Sequence, residues 1–398
     1  MQPIELSNIF KRTTLCAGLT LIAGTTYAAS QEAPQPGAVY VMTNEAAGNG
    51  IAVFARAAGG TVALQGTVAT GGLGVGALLD SQDALILNDD HSLLFAANSG
   101  SDEITVFAVS ADGLELTEVS RVASGGDRPV SLTINDSLLY VLNSGSEGNI
   151  TGFTVGENGA LTPLADSTQS LSTSEFIPCS ELPFPREATG DCNVVSPGEV
   201  EFSPDGRFLV VTERLINQFS VYPVSDAGVA GSATQQPSAG ETPFGFAFDA
   251  QGRMFVSEAF EDRPAEGAAS SYNLSEDGEL SVITNSLHNT ENASCWLVVT
   301  PDGRYTYTAN PQAGTITGYA INENGSLRLL DADGVTGGGE DRTGDPRDIE
   351  LSADGRYLYS LNNVGFTLAI HQVNGNGSPT RLPGARGFPP NSVGIAAF

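Results

Sequence analysis

The feature that most constrains this chain is a short unit of β-structure that recurs along its length. Its clearest copy is PGEVEFSPDGRFLVVTERLINQFSVYPV, residues Pro197–Val224. A half-apolar run ends at Phe202, and Ser203–Gly206 places Pro and Gly where a tight turn needs them. An unbroken apolar run then spans Phe208–Thr212, and Gln218–Tyr222 alternates apolar with polar residues. The unit therefore predicts three short strands in succession.

Copies of the apolar second strand can be aligned along the whole chain. They end at Asn44, Asn98, Asn143, Glu213, Glu258, Asn310 and Asn362. Each is followed by a loop and an alternating third strand, and turns such as Asp277-Gly278 and Asn324-Gly325 then lead to a fourth, more polar strand. These dipeptides favour hairpins because the turns require positive φ. The sequence thus predicts four strands per unit, with a period of about 40 to 50 residues.

The two ends of the chain carry complementary halves of one unit. The N-terminal copy has no first strand, whereas the final run, Ser392–Phe398, has no second strand after it. Ring closure satisfies both ends, whereas a solenoid would have capped ends. The sequence therefore predicts an all-β protein, a seven-bladed β-propeller with four-stranded antiparallel blades over residues 38–398. In this ring the C-terminal strand completes the N-terminal blade.

The first 29 residues have the pattern of an export signal. Lys11 and Arg12 precede a short apolar stretch, Leu15–Ala23, and Thr26–Ala28 has the small-x-small form of a cleavage site. A membrane-spanning helix needs about 20 apolar residues, so this stretch predicts no membrane anchor. We therefore expect a signal peptide at 1–29, a linker at 30–37 and export to the periplasm or the exterior.

Three cysteines lie beyond the predicted signal peptide. Cys179 and Cys192 flank one Pro-rich insertion, so in an oxidising compartment we expect them to form a disulfide. Closing a loop of that size stabilises a fold by about 3 kcal/mol in the chain-entropy model. Cys295, beside the single Trp296, is left over, and we interpret it as a small buried residue.

The charge balance excludes several classes of function. The formal net charge is −29, and Lys11 is the only lysine. Nucleic acids and anionic membranes require clustered Lys and Arg, so neither is an expected partner. Without a lysine in the mature chain, Schiff-base chemistry is excluded as well. No metal-binding or nucleotide-binding motif stands out, so we expect no metal ion and no cofactor.

The propeller geometry predicts where a site would lie. If first strands line the central channel, then the connections entering first strands and leaving second strands share one face, here called the loop face. The tight hairpin turns share the other, here called the turn face. The loop face carries the irregular insertions, residues 172–197, 260–267, 284–294 and 335–346. Variable loops on a rigid scaffold are where binding sites are built.

Two carboxylates and several arginines are the candidate site residues on the loop face. Glu213 and Glu258 end second strands where the other five copies have Asn, a better turn former, so we predict that they are catalytic. The alternative is that both are ordinary solvated carboxylates. Arg128, Arg186 and Arg347 are predicted to bind an anionic substrate group, the alternative being structural pairing with the many acids.

The SPDGR turn, the apolar strand and the terminal Asn or Glu resemble the repeat of the lactonase propellers. That family includes 6-phosphogluconolactonases and carboxymuconate cyclases (the cycloisomerase 2 family), and the resemblance covers Gly37–Phe398. It implies lactonase or cycloisomerase chemistry, with Glu258 at the position of a family glutamate. The family's Arg-His pair at the head of the same blade is here Phe244-Gly245, and a family histidine of the fourth blade is here Glu199.

Two functions are therefore compared. The first is an exported enzyme that hydrolyses or isomerises a small lactone or sugar acid, using a carboxylate as base because no histidine is well placed. The alternative is a non-catalytic extracellular propeller that binds a small acid, a glycan or a protein through its loop face. The missing Arg-His pair favours the alternative. If the protein is an enzyme, we expect its binding partner to be a small-molecule lactone or organic acid. We also expect a monomer.

Overall fold

The protein is described by a computed structural model that covers residues 35–183, 189–338 and 344–398. Gln35–Phe398 form one compact unit. Its strands form seven antiparallel blades plus one small separate hairpin. The seven-bladed propeller predicted from the repeats is confirmed.

The first three blades take their strands in chain order, apart from the innermost strand of blade 1. From the channel outward, blade 1 consists of Ile395–Ala397, Gly37–Met42, Gly50–Arg56 and Val62–Ala69. Blade 2 consists of Leu85–Leu87, Leu93–Asn98, Glu103–Val109 and Leu116–Ala123. Blade 3 consists of Pro129–Asn135, Leu138–Asn143, Asn149–Val155 and Leu161–Pro163, with Gln169–Ser170 added to its third strand.

The other four blades repeat the pattern. Blade 4 consists of Pro197–Phe202, Phe208–Glu213, Gln218–Pro223 and Thr234–Pro237. Blade 5 consists of Pro243–Phe248, Arg253–Glu258, Ala268–Leu274 and Leu280–His288. Blade 6 consists of Leu297–Val299, Tyr305–Asn310, Thr315–Ile321 and Leu327–Leu329, with Gly337–Gly338 beside its third strand. Blade 7 consists of Pro346–Leu351, Tyr357–Asn362, Thr367–Val373 and Pro379–Arg386.

The ring closes as the complementary ends predict. Ile395–Ala397 pairs antiparallel with Gly37–Met42, with Tyr40 opposite Ala396. The Arg56 guanidinium also donates to the Phe398 carbonyl at 2.8 Å. The last residues of the chain therefore form the channel strand of the first blade.

At four of the seven junctions between blades, a tyrosine connects one blade to a hairpin of the next one. The tyrosine hydroxyls donate to carbonyls in the neighbouring turns: Tyr40 to Gly113, Tyr140 to Gly228, Tyr307 to Gly377 and Tyr357 to Ala58. Two of the acceptor turns, at Gly113 and Gly377, are of the Asp-Gly and Asn-Gly type that the sequence indicated, and Gly113 has φ +76°. Apolar side chains between blades are buried, so the sheets pack face to face around the ring.

One insertion adds structure on the loop face. Phe176–Pro178 pairs with Asp191–Asn193, and a 3₁₀ turn, Cys179–Glu181, follows the first of these strands. Cys179 and Cys192 form a disulfide across this hairpin. Two further 3₁₀ turns are Arg214–Ile216 and Phe260–Asp262.

The predicted signal peptide at 1–29 and residues 30–34 of the predicted linker lie outside the described residues. Within the described part, no helix is long and apolar enough to cross a membrane. The first strand begins at Gly37, next to the predicted start of the propeller.

Candidate active site on the loop face

A small cavity lies at the centre of the loop face, where the connections into the channel strands meet. Its volume is about 90 Å³. Its walls come from blades 4 to 7 and from the segment before blade 2, which between them contribute Leu78, Asp80, Arg214, Thr242, Phe244, Ala259, Asp262, Cys295, Trp296, Pro311, Gln312, Asp345 and Arg347. We call this the loop-face cavity. It brings charged and aromatic side chains together from distant parts of the chain.

Asp80 and Arg214 form a buried ion pair in the cavity wall. Arg214 Nη1 donates to Asp80 Oδ2 at 2.5 Å, and its Nε and Nη2 donate to the carbonyl and hydroxyl of Ser196 at 2.7 and 2.6 Å. The guanidinium lies 4.8 Å from the centre of the Phe244 ring. Arg214 reaches this place because a 3₁₀ turn begins directly after the second strand of blade 4. Ser196 thus holds two nitrogens of the guanidinium in place, and the third orients Asp80.

Asp80 itself has the marks of a functional residue. Its φ is +59°, a conformation that costs energy for a residue other than glycine. One oxygen is bound by Arg214, whereas Oδ1 accepts no hydrogen bond from any residue that the structure describes. A held carboxylate with one free oxygen in a cavity can accept a proton.

Arg347 supplies a second guanidinium. Its Nε contacts the Asp345 carboxylate at 2.9 Å, and its side chain is 25% exposed. Its two terminal nitrogens have no hydrogen-bond partner among the described residues. They are therefore available to an oxygen of a bound molecule.

The remaining wall is aromatic and apolar. Phe244 and Trp296 lie with ring centres 5.0 Å apart, and Trp296 Nε1 donates to the Ser81 carbonyl at 2.8 Å. Cys295 is buried beside them, and burial, reinforced by the charges of Asp80 and Asp262, raises the pKa of its thiol. A protonated thiol is a poor nucleophile, so the cysteine serves as a small wall residue, as the sequence suggested.

Gln82 closes the channel beneath this cavity. Its amide nitrogen donates to the Leu297 carbonyl at 2.9 Å, and its amide oxygen accepts from Leu297 N at the same distance. The same amide nitrogen donates to Glu199 at 3.3 Å, so blades 2, 4 and 6 meet at one side chain. A Cβ at Gly245 would lie 2.2 Å from Gln82 Oε1, which explains a glycine there. We call this group the channel plug.

Beyond the plug the channel widens into a chamber of about 400 Å³ that opens at the turn face. We call it the turn-face chamber. Exposed Asp89 lies in its wall. Five further acidic side chains from blades 2, 4 and 7 lie in or beside it: Asp83, Glu199, Glu201, Asp348 and Glu350. Burial raises the pKa of each of them, that of Asp83 to about 6. No arginine or lysine is among the described residues that line it.

The predicted catalytic pair is placed elsewhere. Glu213 and Glu258 are both fully buried inside their blades, and neither lines the loop-face cavity. Glu213 accepts from Ser172 and Ser220, whereas Glu258 accepts from Gly240 N, Ser270 and Ser286. The two carboxylates thus have separate sets of partners. Burial raises the pKa of Glu258 even though three donors oppose the rise. Their catalytic role stays a prediction.

The predicted arginines divide into three cases. Arg347 lines the cavity. Arg128 is buried beside the loop face, and burial lowers its pKa to about 10 despite the nearby charge of Asp80. Its Nη2 has no partner among the described residues, but Arg128 does not line the cavity. Arg186 lies outside the described residues.

Asp80 and Gln82 are the site residues that the sequence did not single out. Both lie in LLDSQDALIL, immediately before the first channel strand of blade 2, a position that each blade shares. The sequence shows that these polar residues interrupt an apolar run. It does not show which way their side chains point. Among the described residues, no group of three His, Cys, Asp or Glu side chains could hold a metal ion.

Comparison with known proteins begins with sequence families. A family model described as "Lactonase, 7-bladed beta-propeller" matches residues 79–177, 175–261 and 257–345. A 6-phosphogluconolactonase of Serratia proteamaculans is 27% identical over 176 residues, which are 43% of this chain and about half (48%) of that protein. A 6-phosphogluconolactonase of Pectobacterium carotovorum is 24% identical over 298 residues, or 74% of this chain and 81% of that protein.

The fold has close counterparts among solved structures. The periplasmic gluconolactonase of Pseudomonas aeruginosa superimposes with a TM-score of 0.67 at 20% identity, covering 90% of this chain and 98% of the other. At this identity the likeness concerns the fold. Together with the family match over most of the propeller, these findings show that the chain belongs to the lactonase family of seven-bladed β-propellers.

Proposed function

We propose that this protein is an exported hydrolase of small lactones and that the loop-face cavity is its active site. The observation that carries the proposal is the pair formed by Asp80 and Arg347 in one cavity. Among the described residues, one carboxylate oxygen of Asp80 and the two terminal nitrogens of Arg347 have no hydrogen-bond partner. The names of the relatives, 6-phosphogluconolactonase and gluconolactonase, support a lactone as substrate.

Hydrolysis of a lactone needs a base for water and a positive group for the developing oxyanion. In our proposal the water oxygen bonds to the carbonyl carbon while one water proton passes to Asp80 Oδ1. Arg347 donates hydrogen bonds to the carbonyl oxygen as it becomes negative. The bond between the carbonyl carbon and the ring oxygen then breaks, and Asp80 returns the proton to that oxygen. The product is an open-chain hydroxy acid.

Arg214 acts in this scheme as a positioning residue. It is held by Ser196 and Phe244 and touches the lactone only through Asp80. Its hydrogen bond to Asp80 Oδ2 fixes which oxygen of Asp80 faces the cavity. Phe244 therefore contributes to the site indirectly, where the family has an arginine in the same strand.

The test compares two carboxylates in parallel. Asp80→Asn keeps the shape of the side chain and removes the base, so kcat/KM for a reactive lactone should fall by about 10² or more. Glu258→Gln, at the position predicted from the family resemblance, should leave kcat within a factor of about 3 because its carboxylate faces serines inside the blade. Circular dichroism confirms folding of both variants. Full activity of Asp80→Asn with loss in Glu258→Gln would transfer the catalytic role to Glu258.

A non-catalytic binding function remains the competing proposal. It is supported by the burial of Glu213 and Glu258 away from the cavity. A pH-stat screen of the wild type against a panel of lactones distinguishes the hydrolase proposal from the binding proposal. If no lactone is hydrolysed above the rate in buffer, the enzyme proposal fails and the cavity is a binding site for an organic acid.

Export is proposed on the pattern of residues 1–29. A disulfide between Cys179 and Cys192 suits an oxidising compartment, and one structural counterpart is a periplasmic enzyme. The mature chain should begin near Ala29. N-terminal sequencing of protein recovered from the periplasm or the medium tests this, and an intact Met1 on protein retained in the cytoplasm would contradict it.

A further inference from the structure

The turn-face chamber has the size of a binding site for a small molecule. Its volume of about 400 Å³ falls within the range of about 300–1,000 Å³ that is usual for such sites. It occupies the channel between the plug and the turns of the turn face, with the Gln82 side chain in its wall. A molecule bound there would lie on the far side of the plug from the loop-face cavity, so the chamber is separate from the proposed active site.

The chamber wall combines apolar side chains with carboxylates. Blades 4 and 7 contribute Glu201 and Glu350, and the segment before blade 2 contributes Asp83. His91 is the one basic side chain among the described lining residues, and it stacks on the Phe398 ring at the turn face. The channel strands of blades 5 and 6 contribute apolar side chains alone, namely Phe246, Ala247, Phe248, Leu297, Val298 and Val299. The wall therefore favours a cation with an apolar body.

The carboxylates stand at two levels of the channel. Glu201 and Glu350 each lie two positions before the serine that begins the turn of their blade, so the repeat places them at the same depth. Glu199 and Asp348 each lie four positions before it, one level closer to the plug. Residues two positions apart in a strand are separated by about 7 Å along it. The upper level also holds Asp83, which forms a hydrogen bond with Glu199.

This spacing suits an elongated cation better than a metal ion. Among the residues that the structure describes, no group of three His, Cys, Asp or Glu side chains could hold a metal ion. A molecule with two ammonium groups, in contrast, can place one at each level and form charge-assisted hydrogen bonds at both. Its methylene chain would then pack on apolar side chains such as Phe246 and Leu297.

Two carboxylate oxygens of the lower level lack a donor. Oε2 of Glu201 is shielded from solvent and has no hydrogen-bond partner among the described residues. Glu350 accepts from Leu351 N through Oε1 at 2.7 Å, whereas its other oxygen accepts no hydrogen bond from any described residue. A buried acceptor without a donor costs free energy. A bound ammonium group would supply the missing donors.

We propose that the turn-face chamber binds a short aliphatic diamine, such as putrescine, with one ammonium group at each level of carboxylates. The upper ammonium group lies beside Asp83 and Glu199, and the lower one donates to Glu201 and Glu350. This site is independent of the proposed hydrolase function, because the plug separates the chamber from the loop-face cavity.

Binding of a diamine should be coupled to the release of protons. Burial raises the pKa of Asp83 to about 6 and also raises the pKa values of Glu201 and Glu350. An ammonium group favours the ionised carboxylates, so the affinity rises with pH. The described lining residues of blades 1, 5 and 6 do not titrate. The titratable groups that face the chamber are Asp83, Asp89, His91, Glu199, Glu201, Asp348 and Glu350.

The first experiment is a calorimetric titration of the purified protein at pH 8 and low salt. Putrescine should bind at least about tenfold more tightly than n-butylamine, which lacks the second ammonium group. The uncharged 1,4-butanediol should not bind. Equal affinities for putrescine and n-butylamine, or no binding of putrescine, overturn the proposal. Calcium ions that bind more tightly than putrescine would make the chamber a metal site and overturn it as well.

The second experiment repeats the putrescine titration at pH 5. The affinity should fall by about tenfold or more, because the acids must give up protons to pair with the ligand. At pH 8 the heat of binding should vary with the ionisation enthalpy of the buffer, as expected when protons are released. An affinity that is the same at pH 5 and pH 8 contradicts the pairing of ammonium groups with these acids.

The third experiment locates the site. Glu201→Gln and Glu350→Gln should each weaken putrescine binding by about tenfold, because each removes a charged acceptor from the lower level. Glu157→Gln removes an equal charge from an exposed turn of the same face and should leave the affinity unchanged. Circular dichroism confirms that the variants are folded. Equal losses in all three variants would mean that the general acidity of the protein attracts the diamine, and the chamber would not be its site.

Discussion

The loop-face cavity and the turn-face chamber are two ends of one channel, yet they surround carboxylates with opposite kinds of partner. Asp80 and Asp83 illustrate this, since they lie three residues apart in one segment. Asp80 is held by the Arg214 guanidinium at 2.5 Å. Asp83 lies beyond the channel plug, where burial raises its pKa to about 6 even though a hydrogen bond with Glu199 opposes the rise.

This difference shows that the excess negative charge of the chain is not spread evenly over its interior. Where guanidinium groups are present, they compensate the charge of the carboxylates, as Arg214 does for Asp80. Where they are absent, neighbouring acids retain protons, because a buried carboxylate without a positive partner is costly. Gln82 separates these environments through hydrogen bonds to Leu297 and Glu199.

The largest expected effect comes from removing the positive charge of the loop-face cavity. Arg214→Met should lower the free energy of unfolding by about 3–5 kcal/mol, because Asp80 would stay buried without its partner. Lactone turnover should fall with it, by about 10²-fold, as the base loses its orientation. Urea denaturation and initial-rate measurements test both statements.

The matched control for this variant is Arg263→Met. Arg263 also has two acidic partners, Glu241 and Glu266, but its side chain is 38% exposed. Such exposed pairs are screened by solvent, so this variant should unfold at nearly the same urea concentration as the wild type. If the two variants unfold at the same urea concentration, the Asp80–Arg214 pair does not hold the cavity together.

The next effect concerns pH and the turn-face chamber. Because the pKa of Asp83 is raised to about 6 in the folded state, that state binds more protons than the unfolded chain between about pH 4 and 6. Stability from this group is therefore present in full below about pH 4 and is lost as pH rises through 6. We expect a loss of up to ~2 kcal/mol, given partial exposure to the chamber.

Asp83→Asn should flatten this dependence. Free energies of unfolding at pH 5 and pH 8 should differ less in the variant than in the wild type, whereas exposed Glu115→Gln should behave like the wild type. An Asp83→Asn protein with an unchanged slope would show that the chamber acids remain ionised and that the two ends of the channel do not differ in protonation.

How far the sequence predicts this molecule depends on the distance over which each feature is determined. Blades depend on local strand patterns and on turns such as Ser203–Gly206, so the number of blades and the closure by Ser392–Phe398 could be derived. The plug could not. Gln82 reaches Leu297, 215 positions away, and nothing within the segment fixes the direction of its side chain.

The glutamates at the ends of second strands teach a related lesson. Glu213 and Glu258 accept hydrogen bonds from Ser220 and Ser270 of the adjoining strand, as Asn310 contacts Thr317 in blade 6. A hydroxyl residue recurs at this point of the third strand, and that pattern indicates a structural junction. This pattern could be recognised by comparing the repeats. The ion pair of Asp80 with Arg214 could not, because it joins residues 134 positions apart.

A smaller effect is expected at the boundary between the two compartments. Gly245→Ala would place a Cβ 2.2 Å from Gln82 Oε1 and 2.9 Å from the Cys295 carbonyl, so the plug must shift. The free energy of unfolding should fall by about 1–3 kcal/mol. Gly59→Ala, where a Cβ meets no atom within 4 Å, is the control. Equal stability of the two variants would mean that the plug is not tightly packed.

The smallest effect separates the two acids of the first strand of blade 4. Both oxygens of Glu199 are hydrogen-bonded, to Gln82 and Phe246 N, whereas Oε2 of Glu201 is buried without a partner among the described residues. Glu201→Gln should therefore raise the free energy of unfolding at pH 8 by about 1 kcal/mol, because it removes a carboxyl whose charged form is disfavoured by burial and by the charge of Asp83. Glu199→Gln should destabilise the protein at the same pH, because its amide would oppose the amide of Gln82. Since most substitutions destabilise, a stabilising one is diagnostic. Destabilisation by Glu201→Gln at pH 8 would show that this carboxylate has a positive partner in solution, and the contrast between paired and unpaired ends of the channel would disappear.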